Sequence, residues 1–207
     1  MDYLTDSDFG EEKKPKFINE MFDWLDILVS SIVAVVIIFT FLFRIVTIVG
    51  DSMQNTLYEK ERIIISDMFY EPKYGDIVVI SRNMDNSVTD TKQGAEPIIK
   101  RIIAVGGQYV DIDFEKGKVY VGYDLGDMEE LDEPYTKTPT NLMADVRFPL
   151  YVEEGYVFVL GDNRNESKDS RFSVIGENGL VNKKYILGKA ICRIFPFDRI
   201  GRFETYE

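Results

Sequence analysis

Hydrophobic residues fall along this chain in two regimes. Near the start lies one unbroken apolar run, from Trp24 to about Val49; after it come short apolar runs cut by polar residues and glycines. The twenty residues from Trp24 to Phe43 carry a single charge, Asp26, within a turn of one end. At about 1.5 Å of rise per residue, a helix of that length covers about 30 Å, the thickness of a bilayer's hydrocarbon core. The run is apolar on every side, unlike a core helix with one wet face. It also lacks the small residues of a signal-peptide cleavage site, since Phe43-Arg44-Ile45-Val46-Thr47 follows it. The pattern predicts a retained transmembrane anchor helix over 24–48, behind a charged tail at 1–23.

Beyond Val49 the runs shorten. Arg62–Ile65, Asp76–Ile80, Ile98–Val105, Tyr109–Ile112, Lys118–Val121, Tyr156–Leu160 and Gly188–Phe195 are rich in β-branched and aromatic residues, with turn signals such as Tyr74-Gly75 and Gly106-Gly107 between them. Many short strands of this kind predict a mainly β, antiparallel domain over 49–207. Two stretches break the pattern. Residues 83–96 read as a polar loop, and residues 122–147, acidic and holding two prolines, read as an excursion on the surface.

Charge and composition narrow the chemistry. With 24 basic against 36 acidic residues, formally −12, the chain offers no clustered cations for phosphates, so nucleic acid is not expected as a partner. Lys13, Lys14 and Lys16 precede the apolar run while Arg44 alone follows it closely, with Lys60 and Arg62 further on. The positive-inside bias then places the tail in the cytoplasm and the large domain outside. There is no histidine, which removes the Ser-His-Asp triad, the Cys-His pair and every histidine-containing zinc site. Cys192 is the single cysteine, so an intramolecular disulfide and a four-cysteine metal site are excluded. Within Ala190-Ile191-Cys192-Arg193-Ile194 it reads as a small buried apolar residue. Any hydrolase here must draw on Ser, Thr, Lys, Tyr, Asp or Glu.

Two of those residues have suggestive settings. Ser52 follows Gly50-Asp51 directly after the apolar run, and Lys100 is flanked by Ile98, Ile99, Ile102 and Ile103. A serine hydroxyl attacks only when some group takes its proton. A lysine among apolar side chains favours its neutral form, because the ammonium loses hydration. Strand alternation puts Lys100 on one face with Ile98 and Ile102, and Arg101 on the other with Ile99 and Ile103. Taken singly, each feature is ordinary. A serine after Gly-Asp is commonly a turn or a helix cap, and a strand lysine is commonly a solvated edge charge. The Asp/Asn/Ser-rich loop Gly161–Arg171 has the composition of a calcium loop, but the central Gly and final Glu of an EF-hand are out of place.

Four stretches in one order change those odds. Ser52-Met53-Gln54-Asn55-Thr56-Leu57 is similar to the motif Ser-Met-x-Pro-Thr-Leu, and Gly75–Val79 to Gly-Asp-Ile-Val-Val. Lys100-Arg101 with Gly107 resembles Lys-Arg followed by Pro-Gly-Asp. Gly161–Arg171 matches Gly-Asp-Asn-x-x-x-Ser-x-Asp-Ser-Arg at every fixed position, with Gly176 beyond. The chain therefore resembles the type I signal peptidases, membrane-bound Ser-Lys proteases that remove signal peptides from secreted proteins.

The resemblance implies roles residue by residue. Ser52 would be the nucleophile, Lys100 the general base, and Ser167 a hydroxyl that hydrogen-bonds and orients that base. Asp169 and Arg171 would form a structural ion pair, with Asp162 and Arg101 as further supports. Met53 and Gly50 would belong to the nucleophile motif beside the substrate. Gly50 has no hydroxyl to offer the oxyanion, which would rest on the backbone N–H of Ser52. The resemblance implies a signal-peptidase-like β domain with a hydrophobic surface beside the anchor, and a cleft for small side chains one and three residues before the cut. It calls for no cofactor and no metal. Its partners would be preprotein signal peptides and the lipid bilayer, with room for association with the secretion translocon. Its place would be the cell membrane, crossed once. Asn55 stands where the family has proline, and Gly106 and Gln108 stand where Pro and Asp flank Gly107. A non-catalytic relative serving envelope or pilus assembly, and a plain anchored binding domain, are the competing readings; intact Ser52, Lys100 and Ser167 favour the enzyme.

Overall fold

The computed structural model describes residues 16–81, 97–204 and 206. The first part of the expected tail and the expected polar loop at 83–96 lie outside the described residues. The chain divides after Phe41 into two units. The first holds helix α1, Lys16–Leu42, 27 residues long. It differs from the expected 24–48 at both ends. Glu20 and Asp23 are compatible with a helix whether or not the surroundings are apolar, so it starts ahead of Trp24. At the other end, Arg44–Thr47 leaves the helix to form a strand, because its β-branched Ile45, Val46 and Thr47 find a pairing partner in the domain.

From Trp24 to Phe39 the apolar side chains of α1 are mostly exposed. Its hydroxyls turn inward on their own backbone, Ser31 Oγ donating to the Leu28 carbonyl at 2.8 Å and Thr40 Oγ1 to that of Val36 at 2.7 Å. Among the described residues, no helix is long and apolar enough to cross a membrane. The side chains of Ile38 and Phe41, inside the expected anchor, lie outside that description.

Among the described residues the second unit is built from twelve strands: β1 Arg44–Thr47, β2 Arg62–Ser66, β3 Ile77–Ile80, β4 Ile98–Val105, β5 Tyr109–Asp113, β6 Lys118–Gly122, β7 Glu129–Glu130, β8 Leu150–Tyr151, β9 Tyr156–Leu160, β10 Val181–Asn182, β11 Ile186–Phe195 and β12 Gly201–Arg202. They form two antiparallel sheets. The larger runs β1-β2-β11-β3-β4-β9-β10, with β12 added to β11; the smaller runs β7-β6-β5-β8. The strands expected from the β-branched runs are all present, and the mainly β, antiparallel reading holds.

β4 is the strand on which the rest converges. It lies between β3 and β9, and its side chains enter all three hydrophobic clusters of the domain. Ile99 packs with Ile48, Met53 and Leu57; Ile102 with Val78, Val157 and Val159; Ile103 with Val110, Val119 and Phe158. A register shift against β9 between Ile102 and Ala104 lets neighbouring residues reach different clusters. Burying each such Ile or Val fully contributes about 1.5–3 kcal/mol, so the backbone carrying Lys100 and Arg101 is held in place from both sides.

Two expectations about packing need correcting. Cys192 is half-buried rather than buried, because it sits on β11 opposite Arg202 of the short strand β12. The stretch 122–147 is not purely a surface excursion: Tyr135, Thr140 and Val146 are buried. Each of those three packs against or bonds to the site described next.

Candidate active site

Ser52 sits in the turn that follows β1. Gly50 enters that turn with φ +81°, in the left-handed region where a side chain is strained. The turn closes on itself through Gln54 N–H to the Asp51 carbonyl at 3.1 Å, and Thr56 and Leu57 N–H to the Met53 carbonyl at 2.9 and 2.8 Å. Met53, expected beside the substrate, is instead 2% exposed and packed with Ile48, Leu57 and Ile99. Its thioether roots the turn in the core and leaves Ser52 half-buried at the top.

Lys100 lies on β4 and is 3% exposed. Its Nζ is 2.8 Å from Ser52 Oγ and donates to the Ile99 carbonyl at 2.9 Å. Lys100 comes 48 positions after Ser52 along the chain. The two expected partners are therefore in direct hydrogen-bond contact.

The loop Gly161–Arg171 is the third component. Asn163 clasps the Ser52 turn twice, its N–H on the Ser52 carbonyl at 3.0 Å and its Nδ2 on the Asp51 carbonyl at 3.1 Å. Gly161 makes that approach feasible: a Cβ there would lie 2.2 Å from Ser167 Oγ and 2.5 Å from the Ser52 carbonyl oxygen. Ser167 is thus beside the Ser52 turn, but its Oγ does not form the expected hydrogen bond to Lys100. Its hydroxyl is buried without a hydrogen-bond partner, because the Oγ points at the Gly161 backbone.

Two buried ion pairs stiffen the loop. Asp169 and Arg171 are fully buried and meet through Nε to Oδ1 at 2.8 Å and Nη2 to Oδ2 at 2.9 Å, while Asp169 Oδ2 also accepts the Gly161 N–H at 3.0 Å. Arg101 meets Asp162 in the same two-pronged way, at 2.8 and 2.7 Å, and its Nη1 donates to the Gly75 carbonyl at 2.8 Å. Thr56 Oγ1 donates to the same Asp162 carboxylate, linking the pair to the Ser52 turn. Burial works against the Arg101 charge, but the Asp162 carboxylate outweighs it and holds the guanidinium above its ordinary range. Bidentate Arg–carboxylate contacts of this kind are among the strongest hydrogen bonds available.

Sequence reasoning missed the clamp around this loop. Arg164 is 1% exposed and pairs with Glu133, while its Nη1 reaches Thr140 Oγ1 and its Nε reaches the Gly161 carbonyl at 3.0 Å. Arg171 Nη1 donates to the Leu142 carbonyl at 3.0 Å, and Lys137 N–H to the Asp162 carbonyl at 2.9 Å. Tyr135 lays its ring 3.9 Å from the Arg101 guanidinium, and burial pushes its phenol up, so it stays neutral. The signal was present in Glu133-Pro134-Tyr135, an aromatic inside an otherwise acidic stretch. The departure at Gln108 also finds its use: its Oε1 accepts the Val105 N–H at 2.9 Å, closing the turn around Gly107. The described residues hold no cluster of side chains suited to a metal ion.

A lysine amine touching a serine hydroxyl, in a chain without histidine, is the equipment of a serine hydrolase with lysine in the base's place. Comparison with known proteins gives the family. The family profile described as "Signal peptidase, peptidase S26" matches residues 21–195. Signal peptidase I P of Bacillus subtilis subsp. natto is 31% identical over 199 residues, covering 93% of this chain and 97% of its own. The probable signal peptidase I-2 of Synechocystis sp. is 32% identical over 204 residues, covering 96% and 85%. A solved signal peptidase I from Enterococcus faecalis is 20% identical, covering 58% of this chain and 97% of its own, with a TM-score of 0.34. The chain belongs to the signal peptidase family, peptidase S26, and is a serine endopeptidase.

Proposed function

We propose that this enzyme is anchored in the cell membrane and removes N-terminal signal peptides from exported preproteins, using Ser52 and Lys100 as a catalytic dyad. The observation that carries the reading is the 2.8 Å approach of a buried amine to a hydroxyl, in a chain with no histidine to do the same work. Neutral Lys100 takes the Ser52 proton as Oγ attacks the scissile carbonyl, and the backbone N–H of Ser52 stabilises the oxyanion. Lys100 then delivers that proton to the leaving amine, which departs and leaves an acyl-enzyme. A water molecule, deprotonated by the same amine, releases the signal peptide and restores Ser52. Ser167 turns its free hydroxyl to the amine during this cycle. Asp162, Arg101, Asp169 and Arg171 hold the loop and the strand in register.

The anchor is the apolar run 24–43 within α1, continuous enough to span a hydrocarbon core. Its two inner hydroxyl hydrogen bonds, from Ser31 and Thr40, remove the cost of polar groups in lipid. On the catalytic unit, the exposed Phe195, Phe197 and Ile200 offer an apolar surface suited to the headgroup boundary. Lys13, Lys14 and Lys16 keep the tail cytoplasmic, which places the catalytic unit outside, where a preprotein emerges.

The test is cleavage of a preprotein by the full chain in lipid vesicles. Ser52→Ala and Lys100→Met are expected to lower turnover on the order of a thousandfold or more, with unfolding midpoints kept. Ser167→Ala in the same assay should lower kcat without lowering stability, since the hydroxyl it deletes has no hydrogen bond to lose. Turnover that survives Lys100→Met would remove that residue as the base.

A further inference from the structure

Beyond β12, Tyr206 lies against Gly75 and Arg101, supports of the site rather than its reacting residues. We propose that Tyr206 is a positioning residue: its ring, packed on that of Tyr135, covers the Arg101 guanidinium and so fixes the Ser52 turn against Lys100. This rests on the Ser52–Lys100 reading above. The Arg101 guanidinium faces two rings on one side, Tyr135 at 3.9 Å and Tyr206 at 5.4 Å, and those rings pack on each other at 4.8 Å between centroids. Gly75 makes room for the segment. It has φ +82°, and a Cβ there would stand 3.0 Å from the Tyr206 carbonyl oxygen and 3.3 Å from its Cβ. The same Gly75 accepts a hydrogen bond from Arg101 through its carbonyl. One glycine thus docks the segment and one arginine receives its ring.

From that point the path to the nucleophile is short. Arg101 grips Asp162 with two hydrogen bonds; Asp162 accepts from Thr56 in the nucleophile turn; Asn163, the next residue, holds the Ser52 carbonyl. Without the Tyr206 ring, water reaches a guanidinium that is now 1% exposed. A solvated ion pair is weaker and looser than a dry one. The Ser52 turn then wanders relative to Lys100, and a displacement of about 1 Å at a reacting atom is enough to cost a large factor in rate. The phenol oxygen is not part of this path: it donates to Glu204 Oε2 at 2.8 Å, away from the pair.

The experiment uses the full chain in vesicles, with Ser52→Ala as the blank. Tyr206→Ala should lower kcat about tenfold with KM held within about twofold, and Tyr206→Phe should restore wild-type kcat. Amide exchange at Asn163 should quicken in Tyr206→Ala while that of Val110 and Val119 in the small sheet stays unchanged. If Tyr206→Ala fails to fold, Tyr206→Leu takes its place: smaller and not planar, it covers less of the guanidinium, and losses in the same direction but smaller are expected. Wild-type kcat and wild-type exchange at Asn163 in that variant would overturn the proposal, as would exchange rising equally across the domain, the mark of a merely structural role. A wild-type chain without Ser52-dependent turnover would sink the dyad reading instead, and the Asn163 exchange would still report on Tyr206.

Discussion

Around the loop Gly161–Arg171, opposite charges meet out of water; on the small sheet they meet in it. Arg101–Asp162 and Arg171–Asp169 have both partners at 0–1% side-chain exposure, each with two parallel hydrogen bonds. Lys116–Asp113 and Lys118–Glu130 are just as close, at 2.8 Å, yet the lysines are 73% and 50% exposed. Distance is therefore not what separates the two regions. A buried pair loses hydration on both sides and holds only because every donor finds an acceptor. An exposed pair gives up little water and gains little. Among the described residues, the pairs with both partners at 0–1% exposure are the two that bear on the Ser52 turn and β4, which points to positioning rather than bulk stability as the reason.

The comparison breaks or sharpens first at Asp162. Replacing it with alanine strands a buried guanidinium and frees Thr56 Oγ1, at a cost of about 3–5 kcal/mol. In a domain of this size that lowers the unfolding midpoint by roughly 10 °C. The sharper variant is the double change Arg101→Met with Asp162→Leu. Apolar replacement of a buried pair is often neutral, so the midpoint should return to within a few degrees of wild type. Preprotein cleavage should not return, because Met and Leu cannot hold Thr56 or direct the loop. Recovery of both would show the pair to be dispensable. Calorimetry and turnover on the same samples decide it.

A middle case lies at Glu133, whose side chain is 10% exposed while its partner Arg164 is 1% exposed. Glu133→Ala takes one acceptor from a buried cation but leaves it Thr140 Oγ1 and the Gly161 carbonyl. The expected loss is about 1–3 kcal/mol, read from denaturant midpoints, with a smaller fall in turnover than at Asp162. A loss equal to that of Asp162→Ala would mean that the 131–140 segment is as central as β4.

Such contrasts also explain what the sequence made legible. The β-branched runs announced every long strand, because half-buried pleated surfaces select those residues directly. Ser52, Lys100, Asp162, Ser167, Asp169 and Arg171 were readable because they sit in motifs with fixed local spacing. The residues that complete the site were not. Glu133 and Tyr135 look like parts of a solvated acidic stretch until the fold brings Arg164 and Arg101 to them. The end of α1 at Leu42 was invisible because Ile45, Val46 and Thr47 carry on the apolar, β-branched run, and only the pairing with Arg62–Ile64 makes them a strand. Ser167 shows the converse: its place beside Ser52 was readable, its rotamer was not.

The smallest effect is expected on the small sheet, and it tests the other half of the comparison. The Glu130 carboxyl is held below the usual carboxylate range, first by the hydrogen bond from Lys118 and then by that amine's charge, with desolvation opposing. A lowered value in the folded state means that its share of stability is present above the unfolded value, about 4.3. That share disappears as the pH falls through the lowered one. Lys118→Ala should therefore move the Glu130 titration, followed by carboxyl NMR shifts, back up toward the usual range. At neutral pH the unfolding midpoint should fall only slightly, because an exposed pair gives little stability to lose. Raising the salt of the wild-type chain should reproduce part of that upward movement, since exposed charges are screened within about 8 Å at physiological ionic strength. It should leave turnover through the dry Arg101–Asp162 pair untouched. If Lys118→Ala lowers the neutral-pH midpoint as far as Glu133→Ala does, exposure is not what divides the two regions, and the positioning role assigned to the buried pairs loses its contrast.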